Sequence, residues 1–229
     1  MKTTGGSDDA KRRAGERAAE EATDGMVVGL GTGSTTAHAI RALGRAVDSG
    51  LDICGIPTSF QSRQLAIEAG IPLTALDEVE TVHLAIDGTD QFAGRHLIKG
   101  GGAAHTREKL VDSAAERFVV VADPSKQAEV LDHPVPVEVL PDAWTVVTEE
   151  IAAKVGGEAT LREAERKDGP VVTDNGNLVL DCDFDEVRDP AMLALDLAAI
   201  PGVVEHGLFI NLVDTVYVGT DDGVEEHQF

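Results

Sequence analysis

Positive charge is what this sequence has least of: 19 Lys and Arg stand against 41 Asp and Glu, a formal net charge of −22. Proteins that bind DNA or RNA carry the opposite sign over the contact surface, so no nucleic-acid partner is expected. Long apolar runs are missing too. No stretch reaches the roughly 18 residues of a membrane-spanning helix, and the polar first residues hold no apolar signal-peptide core. A cytoplasmic protein with no membrane partner is expected. Cysteine is limited to Cys54 and Cys182, each inside an apolar run (51–56 and 178–184) and neither at metal-ligand spacing. Buried or half-buried thiols are expected there, in place of a disulfide or a nucleophile. The seven histidines are scattered with no H-x-x-x-H or His-Cys cluster, and His105 reads as a polar loop residue.

The acidic excess is spread along the chain instead of forming a tail, and only 7 of the 19 basic residues are lysine. That is the pattern of a halophilic protein, whose carboxylates hold hydration while salt screens their repulsion. An ordinarily acidic enzyme is the alternative. Either way, charge speaks to solubility and not to fold.

At 229 residues the chain can form one large domain or two small ones around a hydrophobic core. Residues 1–9 are polar and read as disordered, and the spacing of Ala and charged residues over 10–23 predicts a surface helix. Apolar runs at 26–30, 51–56, 82–86 and 118–122 read as strands, alternating with helical patterns at 34–47, 59–69 and 106–118. In the last of these helices Leu110, Val111, Ala114 and Phe118 fall on one face. Strand alternating with helix implies a parallel, Rossmann-like α/β sheet covered on both faces. After Lys126 the rhythm changes. Strand 135–140, helix 143–155, antiparallel strands at 159–164, 171–173 and 177–181, helix 190–199 and a strand from 203 give the β-α-β-β-α-β order of a small ferredoxin-like α+β domain. The runs 208–212 and 215–218 are then expected to return to the first sheet. The predicted organisation is a discontinuous Rossmann-like domain over 1–130 and 206–229, with an inserted ferredoxin-like domain over 131–205.

Two short segments concentrate the chemistry: Asp87-Gly-Thr-Asp90 and Lys99-Gly-Gly-Gly-Ala-Ala-His-Thr-Arg-Glu108. Asp87 stands at the carboxyl end of a predicted strand, where open α/β sheets bind ligands. Asp87 and Asp90, three apart, can face one cavity, and close carboxylates split their pKa values into a proton donor beside an acceptor. An Asx turn and a Mg²⁺ site are the alternatives; Lys99 argues against the metal because its ammonium supplies the positive charge, so neither metal nor cofactor is expected. Glu108 falls in the first turn of a helix and is the candidate general base for moving a proton between adjacent carbons. Lys99 and the N–H groups of Gly100, Gly101 and Gly102 are candidates to stabilise an oxyanion, and glycines let the main chain approach a sugar closely. Upstream, Gly31-Thr-Gly-Ser-Thr35 follows a strand and opens a helix, the geometry that receives an anion on backbone amides, with hydroxyls from Ser34 and Thr35. It lacks the glycine of a dinucleotide fingerprint and the lysine of a Walker loop. Lys126, after Asp123-Pro-Ser, lies on the same sheet edge and is a candidate phosphate partner, with a solvated surface lysine as the alternative.

Taken with Gly29-Leu-Gly-Thr-Gly-Ser-Thr35 and Ala122-Asp-Pro-Ser-Lys126, these segments occur in the order and spacing of the type A ribose-5-phosphate isomerases, which the chain closely resembles from about residue 17 to about residue 223. The resemblance implies interconversion of D-ribose 5-phosphate and D-ribulose 5-phosphate, a step of the pentose phosphate network. It also implies a discontinuous large domain. It assigns proton transfer to Glu108, and ring opening and the holding of substrate oxygens to Asp87, Asp90 and Lys99. It places Thr32, Gly33, Ser34, Thr35, Asp87, Gly88, Thr89, Asp90, Lys99, Gly100, Gly101, Gly102 and Lys126 around the sugar phosphate. The family often reads Asp-Gly-Ala-Asp-Glu where this chain has Thr89 and Gln91, a departure that touches peripheral charge. A homodimer or homotetramer is expected. Two other readings are weighed: a sugar-phosphate-sensing regulatory domain, for which the short segment before the first strand leaves no basic helix-turn-helix, and a coenzyme A transferase, for which no acyl-binding domain is in view.

Overall fold

The computed structural model describes residues 6–229 and divides into two units. Residues 1–5 of the segment expected to be disordered lie outside the described residues. Asp8 and Asp9 instead open a helix, Asp8–Ala19, because Ser7 accepts a hydrogen bond from the Ala10 N–H (3.1 Å) and the two acids sit at the positive end of the helix dipole.

The sheet unit comprises residues 6–89, Arg107–Gln127 and Leu212–Phe229. Its six strands run in the order Val224–Gln228, Thr215–Gly219, Phe118–Ala122, Leu84–Gly88, Met26–Leu30, Ile53–Pro57. All pair in parallel except Val224–Gln228. Phe118–Ala122 is buried at every residue, which is why it reads as an unbroken apolar run. Alternation sorts the other side chains. Val28, Leu30, Leu84, Ile86, Val119 and Val121 pack with Ala14, Ala18, Ala39, Ile40 and Leu43 from helices Asp8–Ala19 and Thr36–Asp48. Val27 and Ile56 meet Val111 of helix His105–Ala114 on the opposite face. Contact there needs Gly29, where a Cβ would lie 2.6 Å from Cγ1 of Val111.

Helix His105–Ala114 is shorter than the expected 106–118, because Ala115 already bridges to Val82 and Phe118 opens the next strand. Leu110, expected on the buried face, is exposed, while its neighbour Val111 is buried. Strand Val224–Gln228 has no counterpart in the sequence reading. As a half-exposed edge strand it carries no apolar run to announce it. Among the described residues no helix is long and apolar enough to cross a membrane.

The insert unit comprises Asp90–Thr106 and Ala128–Asn211. Four antiparallel strands lie in the order Val203–His206, Val135–Val139, Leu178–Asp183, Glu158–Leu161. Helix Trp144–Glu150, widened to a π-type turn over Ile151–Val155, and helix Pro190–Ala198 complete a ferredoxin-like connectivity. Val135, Val137, Val139, Leu180 and Cys182 share a core with Val147, Ile151, Leu197 and Ile200. The alternate residues, Pro136, Glu138 and Asp181, therefore project from the other face. The strands expected at 159–164 and 171–173 contract to Glu158–Leu161 and the single bridges Glu163 to Pro170 and Val172 to Leu178.

A second antiparallel sheet of three strands joins Leu208–Ile210, His96–Ile98 and Gln91–Ala93. The expectation that 208–212 returns to the parallel sheet is corrected here. Leu208 and Ile98 both enter the insert core, and an apolar run satisfies either sheet equally. This pairing also groups 90–106 with 128–211, a larger insert than residues 131–205 alone.

Candidate active site

The candidate residues fall into two groups, one in each unit. In the sheet unit, the register aligns Leu30 with Pro57 and Ile86, Gly88 with Val121, and Ala122 with Val218. The segments that follow, 31–35, 58–59, 88–89 and 123–126, thus leave the sheet at one carboxyl edge. Asp87 is wholly buried next to the end of its strand. Its Oδ1 accepts the N–H groups of Thr32 (2.9 Å) and Gly88 (2.6 Å). This depends on Gly31, where a Cβ would fall 2.0 Å from the same oxygen. Thr32 Oγ1 donates to Ser59 Oγ (2.7 Å) and lies 3.0 Å from Thr58 Oγ1, which ties the Gly31–Thr35 loop to the end of the neighbouring strand.

Gly33 adopts a φ of +126° with open space where a Cβ would project. Helix Thr36–Asp48 starts just beyond it with no side-chain cap from Thr35. First-turn amides have no intrahelical acceptor and stand at the positive end of the dipole, so residues 33–36 are placed to receive an anion. Lys126 ends the short turn Pro124–Lys126, whose cap Asp123 accepts the Ser125 N–H (3.0 Å). It is 8% exposed, which rules out the solvated surface lysine.

Glu108 reaches the same edge. Its helix packs Val111 over Gly29 and ends where the Glu116 N–H meets the Val82 carbonyl (2.8 Å), so it runs from the carboxyl edge of the sheet to the amino edge. One turn ahead of Val111, about 4.5 Å at 1.5 Å per residue, Glu108 stands at the carboxyl edge, 3% exposed. Asp112, one turn further along the same face, is buried as well.

In the insert unit, Asp90 donates its N–H to the Ile98 carbonyl (2.9 Å) and accepts the Gly101 N–H on Oδ2 (2.6 Å). The Gly101 amide is thus engaged by a carboxylate of the candidate site itself. Lys99 is 2% exposed, with Nζ 5.3 Å from the centroid of the Phe209 ring. Gly100 holds a φ of +104° against the His105 imidazole, and a Cβ there would lie 2.6 Å from Nδ1. His105 is not the polar loop residue expected. It begins the helix, fully buried, with Nε2 3.3 Å from the Glu205 carbonyl oxygen.

The sequence reading did not single out the side chains that hold these groups. Arg162 Nη1 donates to the carbonyls of Gly100 (2.9 Å) and Gly101 (3.4 Å), while its Nε and Nη2 bind the Asp181 carboxylate. Burial opposes the charge of Asp181, yet Arg162 holds its carboxyl below the usual range. Glu138 is fully buried and accepts from Thr106, Thr173, Asn175 and Asn177. Burial raises its pKa and these donors lower it further than burial raises it, so it too stays below the usual carboxylate range. Charged residues at alternate positions of predicted strands were the available signal. Thr58 and Ser59 could have been found by looking after every strand end of the parallel sheet.

Both cysteines are free. Cys54 is half-buried, and Cys182 is buried with its thiol pKa pushed well up by desolvation. Among the described residues, no group of three or more His, Cys, Asp or Glu is gathered as a metal ion would need.

A parallel sheet with buried carboxylates and helix-opening loops on its carboxyl edge, joined to a ferredoxin-like insert, defines an α/β enzyme. The model of the ribose 5-phosphate isomerase A (phosphoriboisomerase A) family matches residues 54–223. The chain is 67% identical to ribose-5-phosphate isomerase A of Haloarcula marismortui, a halophilic archaeon, over 96% of each chain. Its structure matches ribose 5-phosphate isomerase A of Methanocaldococcus jannaschii with a TM-score of 0.92 and 46% identity, over 96% of this chain and 99% of the other. It also matches a D-ribose-5-phosphate isomerase in complex with phospho-erythronic acid, with a TM-score of 0.94 and 42% identity, over 98% and 100% of the two chains. The chain belongs to the ribose 5-phosphate isomerase A family.

Proposed function

We propose that the chain interconverts D-ribose 5-phosphate and D-ribulose 5-phosphate through an enediolate, with Glu108 as the general base. The observation that carries the role of Glu108 is its placement: a buried carboxylate in the first turn of a helix, on the sheet edge that also bears Asp87, Lys126 and the Gly31–Thr35 loop. Glu108 removes the proton from C2 of the open-chain aldose and returns it at C1, and a single carboxylate on one face of the enediolate serves both steps. Asp87, Asp90 and Lys99 assist ring opening and hold the oxygens of the open chain. The Lys99 ammonium and the amides of Gly100 and Gly102 stabilise the charge that develops on the oxygens. The amides at 33–36, the hydroxyls of Ser34 and Thr35, and Lys126 take the 5-phosphate. Gly88 and Thr89 line the sugar.

The protein works in the cytoplasm without a metal. It assembles with copies of itself as a dimer or tetramer, a reading supported by the exposed Leu140, Met192 and Leu195 of the insert unit. The acidic surface suits a salt-rich interior. Conversion of ribose 5-phosphate to ribulose 5-phosphate, assayed in excess chelator and molar KCl, tests the proposal: absence of turnover overturns the isomerase reading, and turnover that needs a divalent ion overturns metal independence.

A further inference from the structure

We infer that Arg162, anchored by Asp181, is a positioning residue for the isomerisation: it fixes the peptide groups of the glycine loop that orient Asp90 and present the oxyanion-binding amides. The inference rests on the reading of Asp90, Lys99 and the loop as substrate-binding groups. Glycine has more backbone freedom than any other residue. Three in succession do not hold a peptide plane in one orientation unaided, and Gly100 adopts a left-handed φ. An outside clamp is needed, and Arg162 supplies it.

The side chain is 10% exposed on the polar face of the antiparallel sheet, the face it shares with Asp181. Two guanidinium nitrogens are taken by the Asp181 carboxylate, which fixes the plane of the fork and aims Nη1 at the Gly100 and Gly101 carbonyls. A carbonyl that accepts from a cation is polarised, and the N–H at the other end of the same peptide group becomes a stronger donor. In the Gly100–Gly101 peptide that N–H binds Asp90. In the Gly101–Gly102 peptide it is the Gly102 amide, proposed above for the developing oxyanion. Strand pairing does not require the guanidinium, because the Arg162 main chain already bonds to Val179 and Val171. Lysine cannot replace it, since a point charge lacks the planar fork that meets a carboxylate and a carbonyl at fixed angles.

The test is steady-state kinetics of Arg162→Lys, Asp181→Asn and Arg162→Ala with ribose 5-phosphate in molar KCl, beside thermal melts. For Arg162→Lys, kcat is expected to fall about 10- to 100-fold, the scale of a misplacement near 1 Å, with KM within about threefold and the melting temperature little changed. Millimolar methylguanidinium is expected to restore part of the kcat lost in Arg162→Ala. Wild-type kcat in Arg162→Lys, a loss confined to KM, a loss that follows the unfolded fraction, or no rescue by methylguanidinium each overturns the inference. If Arg162→Lys does not fold, Asp181→Asn decides, because it keeps the arginine and removes its anchor: a severalfold drop in kcat supports the inference and an unchanged kcat overturns it. An inactive wild-type chain would instead overturn the isomerase reading. An active wild type with unimpaired variants removes the positioning role alone.

Discussion

Arg162 and Asp90 hold opposite ends of one peptide group: the guanidinium donates to the Gly100 carbonyl at 2.9 Å and the carboxylate accepts the Gly101 N–H at 2.6 Å. A loop that looks flexible by composition is therefore fixed on both sides by charged groups. Bonds of this kind are about twice as strong as neutral ones. The same principle recurs in the sheet unit, where Asp87 accepts two loop amides and leaves no room for a side chain at position 31.

Glu108→Gln keeps the shape of the proposed base and removes its ability to take a proton. Turnover is expected to fall by about 10²–10⁴-fold, the usual contribution of a general base, with substrate binding largely kept. Ribose 5-phosphate turned over in deuterated water by the wild type should gain deuterium at the carbon that receives the proton. Near-normal turnover by the purified variant would remove Glu108 from that role.

Gly31→Ala places a Cβ 2.0 Å from Asp87 Oδ1. Gly31 lies outside the left-handed region, so alanine is tolerated by the backbone and the clash falls on the carboxylate and its loop. A drop in kcat/KM of about 100-fold is expected from such displacement, with circular dichroism unchanged. Full activity would mean that the contact between Gly31 and Asp87 relaxes without consequence.

Lys126→Ala should raise KM for ribose 5-phosphate far more than it alters residual turnover of unphosphorylated ribose. The lysine is buried at the sheet edge that carries the Gly31–Thr35 loop. Equal losses on both substrates would assign it to the fold instead of the phosphate.

Glu138 links stability to pH. Its folded pKa lies below the unfolded value, about 4.3, so its contribution is fully present above that pH and is lost as pH falls through the folded pKa. Glu138→Gln turns an amide toward donors that need an acceptor and should cost about 1–3 kcal/mol at pH 7. The gap in melting temperature between wild type and variant should then narrow as pH is lowered from 6 to about 3. A gap that stays constant would show that the ionised form contributes nothing.

Salt is expected to stabilise the fold strongly. With a net charge of −22 the folded state repels itself, and the Debye length falls from about 10 Å at 0.1 M to about 3 Å at 1 M salt. Phosphate binding should weaken over the same range as Lys99 and Lys126 are screened, so the activity optimum is expected near molar salt. Melts at 0.1 M and 2 M KCl, run beside kinetics, check this; equal melting temperatures would show that the acidic surface is not an adaptation to salt.

Local pattern determined a good deal. Continuous apolar runs specify the strands of a parallel sheet because both faces are covered, and Phe118–Ala122 was legible to the residue. The turn of Gly31–Thr35, the strand-end position of Asp87 and the first-turn position of Glu108 also follow from the sequence, since each depends on neighbours a few residues away. Tertiary structure decided the rest. It placed 208–210 beside 96–98 in a separate small sheet, because an apolar strand carries no label for its partner. It buried His105 and Lys126, where polarity alone had left a loop and a surface residue open. It brought Arg162, with Asp181 behind it, to Gly100, and Thr106, Thr173, Asn175 and Asn177 to Glu138, in hydrogen bonds that span as many as 62 positions of chain. Hydrogen bonds between residues so far apart are set by which faces the fold turns toward each other, and that is a property of packing which no local window of sequence contains.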